Sequence, residues 1–241
     1  MKSTGDASPR PERGAVAAGI ASRAGQIGVV FALIALLLFG AAGTIDWAWG
    51  WVYLAIYVAS VAVNAWSLRA DPGLIAERGR PADSAPTWDK VLGGLWAAAE
   101  FLALPFVAGL DVRLGWTGEV ALVWHLAGAA VFAGGLGLFG WAMVTNAYFS
   151  TASRIQRDRR QTVCRNGPYR FVRHPGYTGT ILQSIGAPLL LGSLWALLPA
   201  SVAIACMTAR TWFEDRMLRA GLPGYPEYAS EVRHRLVPGI W

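Results

Sequence analysis

Four apolar runs, residues 26–43, 47–66, 91–110 and 120–144, decide what this chain can become. Each reaches the roughly 17 to 25 residues that a helix needs to cross about 30 Å of hydrocarbon. A fifth apolar region, residues 177–210, reads as two shorter segments that turn near Gly192 and Ser193. Composition agrees: 54% hydrophobic and only 15% charged residues are too apolar for an ordinary soluble domain. The expected fold is an all-α integral membrane protein with five to six transmembrane segments, the last two forming a helical hairpin. Three regions follow: a disordered tail, 1–25, rich in Ala, Gly, Arg and Pro; transmembrane helices within 26–145; and a C-terminal region, 146–241, that contains the hairpin. The first apolar run imitates a signal peptide. It lacks a convincing cleavage site and further spans follow it, so it reads as a retained helix.

The net charge of +6 raises the question of nucleic acid, and the placement of the charges argues against such a partner. If the chain weaves simply through these spans, 20 of the 21 Lys and Arg residues fall on one side and only Arg113 on the other. That is the positive-inside pattern, which makes the basic side cytoplasmic and requires the 177–210 region to enter and leave there. Seven of the arginines lie between Arg154 and Arg173. The loop from Pro72 to Pro86, this arginine-rich segment and the C-terminal tail are expected to converge on that face.

Several patterns are set aside on physical grounds. Cys164 and Cys206 form no CxxC, and with three histidines in the chain neither a disulfide framework nor a metal site is expected. Gly135, Gly137 and Gly140 spell GxGxxG, but no strand precedes them. Within a membrane helix these and the other small residues Gly128, Ala129, Ala133, Gly134 and Ala142 permit close packing instead. Trp47, Trp49, Trp51, Trp88, Trp116 and Trp141 lie at the ends of the runs, where indoles favour the interface. His125 reads as a hydrogen-bonded packing residue, since no partner spacing supports a ligand.

The chemistry concentrates in GPYRFVRHPGYTG, residues 167–179. Gly167-Pro168 marks a turn, and Pro175 suits the first position of a helix, where its missing N–H costs nothing. His174, before that proline, is held out of helical geometry. Its ring and Arg173 therefore stand at a helix entrance, where backbone N–H groups and the dipole favour an anion. Tyr169 and Tyr177 add aromatic faces. Downstream, Arg210 and Glu214 are one turn apart on a helix leaving the membrane, and Asp215 follows. Taken alone, that pair reads equally as an interfacial ion pair, and the arginine run as an anchor to anionic lipid.

As an ordered set, GPYRFVRHPGYTG, the hairpin, RTWFEDRML and PGYPEYASEVRHRLVPGIW resemble the C-terminal half of the isoprenylcysteine carboxyl methyltransferase family. That family belongs to a larger group of integral-membrane methyltransferases that includes the phospholipid methyltransferases. The likeness covers roughly residues 146–241. It implies an S-adenosylmethionine pocket on the cytoplasmic side, closed by the hairpin and the tail. Gln161, Thr162, Val163 and Cys164 would contact the cofactor largely through backbone, Tyr169, His174, Pro175, Gly176 and Tyr177 would line the pocket, and Glu214 would hold the cofactor. The resemblance assigns Arg210 to the substrate, with Arg173 and His174 as further catalytic candidates. The acceptor would be a lipophilic molecule or lipid entering from the bilayer: a prenylcysteine-like carboxylate, or another lipid carboxyl, amine or thiol. A carboxylate acceptor would be oriented by Arg210 and need no base, whereas an amine or thiol would call on His174 or Glu214 to take a proton. The sequence departs from the family at Gln161, where histidine is frequent, and in Glu214-Asp215, where paired glutamates are. Two other readings stand beside this one. Membrane sterol reductases carry a similar C-terminal signature for NADPH, and a non-enzymatic lipid-binding membrane protein needs only the basic interface.

Overall fold

The computed structural model describes residues 13–69, 85–150 and 152–241, and its regular structure is entirely helical, with no strand among them. Helix α1 spans Arg13–Ala42, α2 Ala48–Leu68, α3 Thr87–Leu114 and α4 Leu122–Thr145. Helix α5, Pro175–Leu191, and α6, Leu197–Gly221, form the hairpin, and a short α7, Tyr225–Glu231, follows. Among the described residues four helices, α1 to α4, are long and apolar enough to cross a membrane. Helix α1 starts thirteen residues before the expected Gln26, so residues 13–25 are helical rather than part of a disordered tail. Alanine at 15, 17, 18, 21 and 24 favours helix, and extending an existing helix avoids the cost of a new nucleus. The rest of the expected tail, 1–12, and the loop from Pro72 as far as residue 84 lie outside the described residues.

The helices alternate in direction, as close contacts along their lengths require. Gly109 near the end of α3 abuts Leu38 and Ala41 near the end of α1; Trp49 at the start of α2 stacks on His125 at the start of α4; and Asn64 near the end of α2 meets Gly140 near the end of α4. Helix α5 then returns antiparallel to α4. Their seam is made by glycine: a Cβ on Gly128 would sit 2.2 Å from the Leu190 nitrogen, one on Gly135 2.6 Å from the Gly179 oxygen, and one on Gly186 2.5 Å from the Phe132 nitrogen. Any side chain there would hold the backbones apart. The GxGxxG pattern is thus divided. Gly135 packs on α5, Gly140 on α2, and Gly137 has open space around it.

The hairpin turns where the sequence suggests, with Gly192 in the left-handed region at φ 73°. Ser193 fixes the corner by accepting the Ala196 N–H at 3.1 Å and donating to Asp111 at 2.5 Å. His125 is buried, and its Nδ1 lies 2.8 Å from the Leu190 carbonyl, as a packing residue should. Of the tryptophans at the span ends, Trp51, Trp116 and Trp141 are exposed, whereas Trp47 is buried and Trp49 is occupied by His125. The turn Ala98–Ala103 inside α3 is a π-helix that ends two residues before Pro105, whose missing N–H cannot continue the α ladder. It carries Glu100 into the bundle, where Ser184 of α5 donates to the carboxylate at 2.6 Å.

Candidate active site

Because α4 ends and α5 begins on one face of the bundle, and α6 returns to that same face, the segment 146–174 and the C-terminal tail meet there. Arg173 and His174 donate their backbone N–H groups to the His234 and Arg235 carbonyls, both at 3.0 Å, which straps the tail beside the α5 entrance. Tyr228 of α7 reaches the Tyr169 carbonyl at 2.7 Å, and Leu218, Leu222, Tyr225 and Tyr228 pack as a small core against Val163. Between these walls lies a cleft. The 146–154 segment contributes Asn146, Tyr148, Phe149 and Arg154, the next segment Gln161, Thr162, Val163 and Cys164, and the α5 entrance Tyr169, Arg173, His174, Gly176 and Tyr177; Glu214, Leu218, Leu222, Tyr225 and Tyr228 close it.

Nine of the ten positions expected to line a cofactor pocket therefore share one cleft, Gln161, Thr162, Val163, Cys164, Tyr169, His174, Gly176, Tyr177 and Glu214. Pro175 is not among the lining residues; it is buried at the first turn of α5, where it starts the helix. The floor is a polar knot around Glu214, whose Oε2 accepts hydrogen bonds from the Tyr177 hydroxyl and from Ser153 Oγ at 2.7 Å. Burial pushes the Cys164 thiol above its ordinary pKa, which leaves it protonated and a poor nucleophile. Burial does the same to the Tyr169 phenol.

Arg173 and His174 are engaged on the far wall. Arg173 is buried, gives Nε and Nη2 to Asp215 at 2.7 and 3.2 Å, and gives Nη1 to the Val232 and Arg233 carbonyls at 2.7 Å each. His174 Nε2 stands 3.5 Å from Asp215 and 3.3 Å from the Tyr225 hydroxyl, and its ring lies parallel to Tyr177. Asp215 also takes Tyr225, Arg219 and Arg235 at 3.0 to 3.1 Å. Burial pushes this carboxyl up, but hydrogen bonds and charge from His174 and Arg173 outweigh it and hold Asp215 well below the usual carboxylate range.

Arg210 does not line the cleft. It is buried one helical turn deeper on α6 than Glu214, with Tyr177 between, its guanidinium 5.4 Å from that ring. Its Nε and Nη2 both donate to Asp89 of α3, at 3.0 and 2.6 Å, and the other Asp89 oxygen accepts the Ser153 N–H at 3.1 Å. Sequence reasoning missed Asp89, Ser153 and the hub role of Asp215. Asp89 lies more than a hundred residues from Arg210, and no spacing rule connects them.

Most of the cleft is built between the end of α4 and the end of α6, and a comparison with protein families matches that stretch. Residues 123–222 match the phospholipid methyltransferase family. The match is consistent with the likeness to integral-membrane methyltransferases read from the motifs, and with four helices of membrane length it supports a membrane methyltransferase. No curated protein matches the chain. Asp89, Tyr225, Tyr228 and the tail strap fall outside the phospholipid methyltransferase segment. Among the described residues no cluster of His, Cys, Asp or Glu has the geometry to hold a metal ion.

Proposed function

We propose that the protein transfers a methyl group from S-adenosylmethionine to a lipophilic acceptor that arrives from the bilayer, with the cleft on the cytoplasmic face. The observation that carries this reading is the wall formed by Tyr177 and Glu214. On one side of it lies a polar cleft open to solvent; on the other, the buried Arg210–Asp89 pair between α6 and α3. The residues fit such a cofactor. Glu214 offers a carboxylate for the amino group, Arg154 on the cleft lining a cation for the carboxylate, segment 161–164 its backbone, and Tyr148, Tyr169, Tyr225 and Tyr228 aromatic surface for a flat base or a sulfonium.

When bound, the sulfonium donor supplies an already activated methyl group, so the protein's contribution is placement and exclusion of water. Tyr177 and Ser153 fix the Glu214 carboxylate, and the Arg173–Asp215–Tyr225 lattice fixes the helix entrance and tail around the cleft. The basic residues gathered on the cleft face support its cytoplasmic orientation.

The reading is tested by incubating the purified protein with methyl-labelled S-adenosylmethionine and a membrane lipid extract. Label is expected in the organic phase. Glu214→Gln should weaken S-adenosylhomocysteine binding by about 1.5 to 3 kcal/mol, the scale of a charged hydrogen bond. Unchanged affinity in a folded Glu214→Gln protein removes Glu214 from the cofactor site.

A further inference from the structure

We propose that the crevice at the end of the bundle opposite the cleft is a lipid site, which seats a cationic ammonium head group of the adjoining leaflet against Glu119. This site is separate from the methyl-transfer reading and does not depend on it. Helix α5 carries 17 residues between the two ends, about 25 Å at 1.5 Å per residue, so a head group held here is out of reach of the cleft.

The crevice lies between the α3–α4 connection and the hairpin corner, with a volume of about 380 Å³. Asp111, a buried acid in the last turn of α3, fixes its walls. The carboxylate accepts the Thr117 N–H and hydroxyl at 2.7 and 2.5 Å and the Ser193 hydroxyl at 2.5 Å, while Thr117 Oγ1 accepts the Leu194 N–H at 3.1 Å. Thr117, Ser193 and Leu194 all line the crevice, so one buried carboxylate ties its two walls together. Beneath the corner His125 lies against Gly192, where a Cβ would come within 2.5 Å of the ring.

The lining specifies the ligand. Val120, Ala121, Pro188, Leu189 and Leu194 are apolar, and Trp124 adds an exposed indole. Glu119 is the charged residue of the lining; it is exposed and, among the described residues, no hydrogen bond or ion pair occupies its carboxylate. The Thr117 and Ser193 hydroxyls are already given to Asp111. A carboxylate and an indole face together make a seat for an ammonium, and the apolar walls take the carbon chain beside it. The depth suits a lipid head group, since the apolar runs end here and Trp116 and Trp195, both exposed and 5.7 Å apart between ring centres, stand next to the crevice. The surrounding charge has the same preference. At this end the described residues carry Asp46, Asp111 and Glu119 against Arg113, and Arg113 lies beside Gly43 in the α1–α2 connection. An anionic head group meets repulsion there and a cationic one attraction. Glu119 lies outside the segment matched by the family.

The test uses two photoreactive probes with the same alkyl chain and a diazirine beside the head, which is trimethylammonium in one and sulfate in the other. The quaternary nitrogen has no lone pair and cannot accept a methyl group, so the probe does not report on turnover. The full chain in uncharged maltoside micelles is irradiated with each probe, and the labelled residues are mapped by peptide mass spectrometry. In wild type the trimethylammonium probe is expected to label residues 117–124 and 188–194 about fivefold more than the sulfate probe, the scale of one exposed charge and one indole face. Glu119→Gln should bring that ratio close to one without lowering the melting temperature, and Glu119→Asp should retain most of it. Dodecyltrimethylammonium should displace the label, and choline at the same concentration should not, because the apolar walls hold the chain. Equal labelling of these residues by the two heads in wild type overturns the proposal, and this comparison needs no variant to fold. An unaltered ratio in folded Glu119→Gln overturns it equally, and displacement by choline overturns the assignment to a lipid in favour of a free amine.

Discussion

Asp215 gathers five side chains, Arg173, His174, Arg219, Tyr225 and Arg235, from α6, the α5 entrance, the start of α7 and the tail. Its neighbour Glu214 lines the cleft, so two successive acids divide the labour: one holds the wall together, the other faces the cleft. The dipeptide and His174-Pro175 were legible in the sequence because local rules govern them, a turn, a proline start and one helical turn. The division between the acids was not, since it depends on partners from four separate elements. Replacing Asp215 by Asn leaves several buried donors facing a neutral amide, and we expect a loss of about 3 to 5 kcal/mol, the cost of breaking a buried ion pair. The pH dependence has a definite sign. A carboxyl whose folded pKa is lowered stabilises the fold above its unfolded value near 4 and loses that contribution as the pH falls toward the folded value. Thermal unfolding followed by circular dichroism should therefore show this contribution intact from pH 5 to 8 and declining below about pH 4 in wild type. Asp215→Asn should lack that acid-dependent part; an identical acid profile in the two proteins would show that Asp215 is not ionised in the lattice.

At the scale of elements, the α4–α5 seam determines whether the cleft exists, since it fixes where α5 and hence His174 and Tyr177 stand relative to α4. The apolar runs and the hairpin turn at Gly192 could be read from the sequence, as could packing, rather than dinucleotide binding, as the use of glycine in α4. Which glycines pack could not. Gly128 and Gly135 meet α5, while Gly134 and Gly137, equally small and on the same helix, have nothing within 4 Å. Helical spacing alone does not say which side faces a partner when a helix is apolar all round. The π-turn at Glu100 was hidden for a similar reason, because Pro105 marks a break without saying whether the helix ends, kinks or widens. The contrast gives a paired prediction. Gly186→Val should destabilise the protein by about 1 to 3 kcal/mol or more through overpacking against the Phe132 backbone. Gly137→Ala should be tolerated within about 1 kcal/mol, the scale of the helix-propensity difference. Thermal melts in one detergent compare the two directly, and equal stability would refute the assigned seam.

At the scale of the molecule, the long helices α1 to α6 alternate so that the 146–174 segment, the end of α6 and the tail share a face, and the proposed chemistry needs that convergence. It predicts that cysteines placed at Arg165 and Arg219, with Cys164 and Cys206 changed to Ser, react with an impermeant thiol reagent from one side of the membrane only. Labelling from opposite sides would mean that the hairpin crosses once and that His174 and Glu214 are apart. The central claim, that the cleft holds S-adenosylmethionine, is tested most directly by titrating the purified protein with S-adenosylmethionine, S-adenosylhomocysteine and NADPH while its melting temperature is followed. A ligand that binds only the folded state raises the melting temperature, by about 2.7 kcal/mol of stabilisation at a hundred times its Kd. The account predicts saturable stabilisation by S-adenosylmethionine and S-adenosylhomocysteine and none by NADPH; stabilisation by NADPH alone would contradict it.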